Sequence, residues 1–247
     1  MSSSRSAEAT TAAPTTLARH GLAARVLHAL NALAVLILLA SGLALADWLG
    51  ARGTALLGGH TAVDALHQTL GLAFVIAWLL LVALLPSQIG RLLRDVFHFK
   101  RADWRWPAAF LRFYFRPGSH AMPAHDGRFD PAQRIVFIGL IVALPVLGTS
   151  GAYLYLTPPL GRMALAGVVW LHVASAWLLI ACVCLHILAG SGILRTHRGL
   201  VTAMFGNGRV TQDMADELWP EWARDQAVSR TGPTLIRPKG AARESAD

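Results

Sequence analysis

Four stretches of the chain are apolar at nearly every position for twenty residues or more: about 26–46, 62–85, 135–156 and 167–188. None carries a Lys or Arg in its interior. A helix needs roughly 20 such residues to cross the hydrocarbon core of a bilayer. The pattern therefore predicts an all-α protein, an integral membrane four-helix bundle. Its connections are uneven. Residues 47–61 and 157–166 are short, whereas 86–134 form a long polar insertion. The expected organisation is a disordered N-terminal tail over 1–19, a four-span domain over 20–205, and a C-terminal tail over 206–247.

Composition agrees with this pattern. The 247 residues are 54% hydrophobic and only 15% charged, with a mean hydropathy of +0.47. A soluble domain usually carries roughly 25% charged residues, so this chain cannot clothe a water-facing surface. Intrinsic disorder, which needs low hydrophobicity, is excluded for the same reason. The net charge of +8 would raise nucleic acid as a partner in a soluble protein. Here the basic residues lie between apolar runs, which points to a lipid bilayer and no nucleic acid. Residues 1–16 are rich in Ser, Ala and Thr with no apolar run and cleavage site directly after them, unlike a signal peptide.

The distribution of Lys and Arg sets an orientation. The long insertion holds nine, from Arg91 to Arg134, while each short connection holds one, Arg52 and Arg162. Arg5, Arg19 and Arg25 precede the first span, and Arg195 and Arg198 follow the fourth. Basic residues favour the cytoplasmic side. Both termini and the long loop are thus expected in the cytoplasm and the two short loops outside.

Ionisable side chains inside membrane spans are expensive and mark function. Four of the ten histidines fall there: His28, His67, His172 and His186. His172 and His186 are fourteen residues apart, close to four helical turns, so they share a face at depths about 21 Å apart. With the orientation above, His67 and His172 lie at the outer level and His28 and His186 at the inner level. Facing imidazoles at two depths are what two bis-histidine haems b require, each iron taking axial ligands from both sides. Helical bundles are a usual place for such cofactors. A lone histidine could be an ordinary packed residue; the matched depths of four are the signal.

Other residues are open to two readings. Gly42, Gly71, Ser175 and Ala176 give clearance for a porphyrin or for plain helix contacts. Arg25, Arg134 and Arg195 could pair with haem propionates, but each alone is better read as a marker of the basic inner side. Cys182 and Cys184 sit two apart on a helix, cannot close a normal disulfide, and read as small packing residues.

The chain resembles the cytochrome b (gamma) subunit of membrane-bound respiratory formate dehydrogenases. The resemblance rests on the four histidines in their spans, including the pair fourteen apart in span four. It extends to the stretch His125-Asp-Gly-Arg-Phe-Asp-Pro-Ala-Gln-Arg134, to Val210-Thr211 with Ala215, and to Trp219-Pro-Glu-Trp222, covering about residues 20–226. It implies haem b ligation by His28, His67, His172 and His186 and a quinone site, for menaquinone or ubiquinone, beside the inner haem. The family's quinone-site Asn and Gly correspond to Asp130 and Ala132 here. An ionised Asp accepts but cannot donate a hydrogen bond, and Ala lacks the freedom of Gly. Asp130-Pro131 also reads as a helix start, Asp as cap and Pro in the first turn.

The resemblance further implies the partners. An iron–sulfur (beta) subunit would deliver electrons from outside, and a molybdenum- or tungsten-containing (alpha) subunit would oxidise formate. This chain would relay the electrons through two haems to quinone near the cytoplasmic face of the bacterial inner membrane. The two outer loops are short for docking, so the iron–sulfur partner is expected to send a transmembrane helix alongside the bundle. Trp219 and Trp222 would be interfacial anchors or contacts for that helix. Alternatives are the cytochrome b subunit of a related hydrogenase or thiosulfate reductase, a stand-alone di-haem superoxide oxidase, and, less favoured, a haem-free membrane anchor.

Overall fold

A computed structural model describes residues 15–115, 125–156, 162–194 and 197–231. In chain order, these residues form strand β1 (Thr16–Ala18), helices α1 (Leu22–Leu45), α2 (Gly50–Leu56), α3 (His60–Leu84) and α4 (Pro86–Phe97). A 3-10 turn (Arg101–Arg105) then leads into α5 (Trp106–Phe115), α6 (Pro131–Leu156) and α7 (Arg162–Gly190). The chain closes with α8 (Leu200–Phe205), strand β2 (Arg209–Thr211), α9 (Gln212–Leu218) and α10 (Pro220–Thr231).

Helices α1, α3, α6 and α7 have the length and apolarity of membrane spans. They match the four stretches read from the sequence to within a residue or two at the C-terminal ends, each starting a few residues earlier. For α6 the reason is local. Asp130 Oδ1 accepts from Gln133 N at 2.9 Å and Pro131 opens the first turn, so the helix begins at its cap.

Among the spans, the closest backbone approaches join α6 to α7, α1 to α3, and α3 to α6. Val35, Ala143 and Leu179 are buried at the centre of the bundle, with Leu39, Phe74 and Leu140 packed round them. Cys182 Sγ lies over Gly139, a small-residue contact between α7 and α6, while Cys184 faces outward. Trp78 Nε1 donates to Asn31 Oδ1 at 3.0 Å, tying α3 to α1. Such a bond satisfies a polar pair that lipid could not. Helix α7 approaches α6 closely but stands off from α1 and α3.

At one end of the bundle, residues within the tails expected over 1–19 and 206–247 form a folded cap; 1–14 and 232–247 lie outside the described residues. Strands β1 and β2 pair antiparallel, with Leu17 opposite Val210. Leu17, Ala203, Val210, Ala215, Leu218, Trp219 and Ala223 make its core. Burying this apolar set offsets the entropy of ordering the two segments, which neither could do alone. Trp219, expected with Trp222 to be an interfacial anchor or a contact for a partner helix, is 2% exposed within this core. The Arg19 guanidinium lies over its ring at 4.0 Å and over that of Trp222 at 4.3 Å. Arg19 Nη2 donates to Arg128 O at 2.8 Å, and His125 Nε2 lies 2.8 Å from Leu218 O. The N-terminal strand, the residues before α6 and the C-terminal segment therefore meet on the same side of the bundle.

Candidate haem site

Two pairs of imidazoles face each other across the bundle. His67 on α3 and His172 on α7 have ring centroids 6.3 Å apart. His28 on α1 and His186 on α7 have centroids 5.9 Å apart. All four side chains are half-buried. The pairing is the one expected from their depths, and it bridges α7 to the two spans from which its backbone stands off.

The His67–His172 level is built by matching residues on two other spans. Ser41 Oγ on α1 lies 2.9 Å from His67 Nδ1, and Ser150 Oγ on α6 lies 2.9 Å from His172 Nδ1. Each serine also reaches a carbonyl one turn back, Ser41 to Ile37 O at 2.8 Å and Ser150 to Val146 O at 2.5 Å. A hydroxyl has one proton. Given to the carbonyl, it leaves the oxygen to accept from Nδ1–H. That tautomer puts the lone pair on Nε2, the nitrogen available to a metal. The residue after each serine is glycine. A Cβ on Gly42 would stand 3.2 Å from His67 Cε1, and one on Gly151 would stand 3.2 Å from His172 Cε1. Gly42 thus makes room for the imidazole itself. Gly71 lies by Leu38 rather than by a histidine.

The His28–His186 level is aromatic. Phe205 on α8 meets His28 edge-on at 5.4 Å, and Phe137 on α6 lies 6.1 Å from His186. His28 Nδ1 is buried without a hydrogen-bond partner.

Sequence reasoning passed over Ser41, Ser150, Gly151, Phe137 and Phe205. One signal was available: Ser-Gly occurs once in the first span and once in the third, in the middle of apolar runs.

Two of the three arginines considered for propionates have partners in the protein. Arg134, 2% exposed, forms a buried ion pair with Asp103 at 3.2 Å and donates to His98 O at 2.5 Å and to Asp126 O. It is a structural knot rather than a surface marker of the basic side. Arg25 Nη2 donates to Gly206 O. Arg195 lies outside the described residues.

Asp130 and Ala132 stand at the start of α6, beneath the cap. Asp130 is buried, which pushes its carboxyl above the usual range; the Gln133 N–H opposes that shift. The segment reaches the histidines through aromatic rings: Phe129 meets Phe137 at 5.0 Å, and Phe137 meets His186. Neither Asp130 nor Ala132 hydrogen-bonds a histidine among the described residues.

The residues present fit haem. An imidazole nitrogen binds a first-row transition metal at about 2 Å, so two such bonds plus the half-widths of two rings span about 6 Å. Both pairs have that spacing. At one level the donors are also held in the metal-binding tautomer, and the small residues beside them leave the rings free.

No curated protein matches the chain. The family model described as prokaryotic cytochrome b561 matches residues 19–207, a span that holds all four membrane helices and all four facing histidines. The chain belongs to that family and is a membrane cytochrome b, a haem b protein of electron transfer.

Proposed function

We propose that this chain is the di-haem b subunit of a respiratory formate dehydrogenase, carrying electrons across the bacterial inner membrane from an iron–sulfur partner to a quinone. The observation that carries the proposal is the pair of facing histidine couples at two depths. His67 and His172 would hold one haem, and His28 and His186 the other. Bound haem b supplies a one-electron iron couple.

The remaining work belongs to the chain. Ser41 and Ser150 hold two of the imidazoles in register. At the other level Phe205 packs against His28 and Phe137 against His186. The spans exclude solvent between the two levels and fix their separation.

The cap lies on the side of the long basic insertion, which by charge is the cytoplasmic side. On this reading the quinone head group binds near His186 and the start of α6. Asp130 would accept a hydrogen bond there and take up a proton from the cytoplasm, with Ala132 beside it. The iron–sulfur subunit docks at the opposite face near the His67–His172 level and sends a transmembrane helix alongside the bundle. A molybdenum or tungsten subunit completes the complex and holds the formate chemistry.

Purification of the native complex through a tag on this chain tests the assignment. Co-purification of iron–sulfur and molybdenum or tungsten subunits, with formate reducing the b-type absorption bands, supports it. Reduction by hydrogen instead would assign the chain to a hydrogenase, and a chain that purifies alone with both haems would be a stand-alone oxidoreductase. Removal of residues 210–247 then asks whether the cap takes part in partner binding, read from recovery of the iron–sulfur subunit.

A further inference from the structure

The two histidine pairs are supported differently, and the difference has an electronic consequence. We infer that Ser41 and Ser150 are positioning residues that hold the potential of the haem between His67 and His172 below that of the haem between His28 and His186. The inference rests on the two-haem reading above.

Once Nε2 binds iron, Nδ1 keeps its proton and can only donate. At the first level each Nδ1 meets a serine oxygen at 2.9 Å. Those oxygens are free to accept because their own protons point to Ile37 O and Val146 O. A donated Nδ1–H makes the imidazole more basic at Nε2. A more basic axial ligand favours ferric over ferrous iron and lowers the potential.

At the second level the His28 Nδ1 is buried with no such acceptor. Phe205 and Phe137 flank the pair at 5.4 and 6.1 Å. Without that donated hydrogen bond His28 is the less basic ligand, which raises the potential there. Electron transfer from the serine-supported level to the phenylalanine-flanked level is then downhill, set by side chains on α1 and α6 that do not ligate iron.

Redox titration of the full-length protein in detergent, followed at the visible haem bands, tests this. His172→Ala and His186→Ala identify which component belongs to which level. The component lost in His172→Ala is expected to be the lower-potential one. Ser41→Ala and Ser150→Ala should each shift that component several-fold to tenfold toward the ferrous form, tenfold being about 59 mV for one electron. The other component should stay in place, and Ser41→Thr, which keeps the hydroxyl, should restore the parent value. If an alanine variant loses haem, Ser41→Thr and Ser41→Cys decide the matter. A cysteine potential above that of threonine supports the inference, and equal values overturn it. Two haems in the parent with reversed potentials, with neither component moved by the serine variants, or with both moved alike, overturn the inference alone. One haem or none per chain overturns the two-haem reading, and the inference falls with it.

Discussion

His28 and His186 are 158 residues apart in the chain, yet their ring centroids are 5.9 Å apart. The contact closes α1 on α7, two spans whose backbones otherwise keep their distance. Phe205 on α8 meets His28 edge-on, so the folded cap and the His28–His186 pair share a boundary. The same separation of backbone, bridged by side chains, recurs at His67 and His172.

Two haems per chain follow from two bridged levels. Extracted haem should be close to two equivalents in the parent protein. His172→Ala should remove the haem of its own level and leave the other in place, and His186→Ala should do the reverse. Pyridine haemochrome quantification against protein concentration checks this, and about one equivalent in the parent would defeat the assignment.

The glycines beside the serines are spatial requirements. An alanine methyl at Gly42 or Gly151 would stand 3.2 Å from a histidine Cε1, so the ring would have to yield. Gly42→Ala should lower haem occupancy at the His67–His172 level, and Gly42→Val should abolish it. The His28–His186 level should be unaffected. Spectra of the two variants, compared with His172→Ala, separate the levels.

Arg134 and Asp103 form an ion pair that is 2% and 8% exposed at its side chains. Removing one partner leaves a buried charge uncompensated, at a cost of about 3–5 kcal/mol. Arg134→Ala should therefore loosen residues 98–103 and 126 from the start of α6 and lower the melting temperature. Asp103→Asn should do so less, because the amide still accepts from the guanidinium. Limited proteolysis within 98–130 offers a direct readout; unchanged protection in Arg134→Ala would contradict the structural role.

Acid should destabilise the folded chain through His197, in the connection between α7 and α8. This side chain is 2% exposed, and burial lowers its imidazole from 6.5 to about 4. Between those values the unfolded chain takes up a proton that the folded state refuses. Stability is therefore full above pH 6.5 and is lost as the pH falls toward 4. The loss amounts to about 3 kcal/mol by pH 4. His197→Gln should show a shallower fall in melting temperature over that window than the parent. Parallel curves would show that another group dominates; His20, lowered by burial to about 4, is the first to test.

Much of this protein was determined by its sequence alone. Membrane spans are legible because lipid imposes one simple rule, about 20 apolar residues per crossing, and the four helices coincide with the four runs that obey it. The helical repeat and alternating span direction also sorted four histidines into two depths before any contact was known. Two features were decided only by tertiary structure. The first is the support of the His67–His172 level. Ser41 and Ser150 are ordinary small polar residues in a span until α1 and α6 bring each within 2.9 Å of an imidazole on a neighbouring helix. The second is the cap. Segments 15–19 and 206–231 read as polar tails because each alone has too little apolar surface to order itself. Only when Leu17 meets Val210 and Trp219 closes over Arg19 do they share enough buried surface to fold. Local pattern records what each helix needs from lipid, whereas side chains that act on one another across helices acquire their roles from the packing.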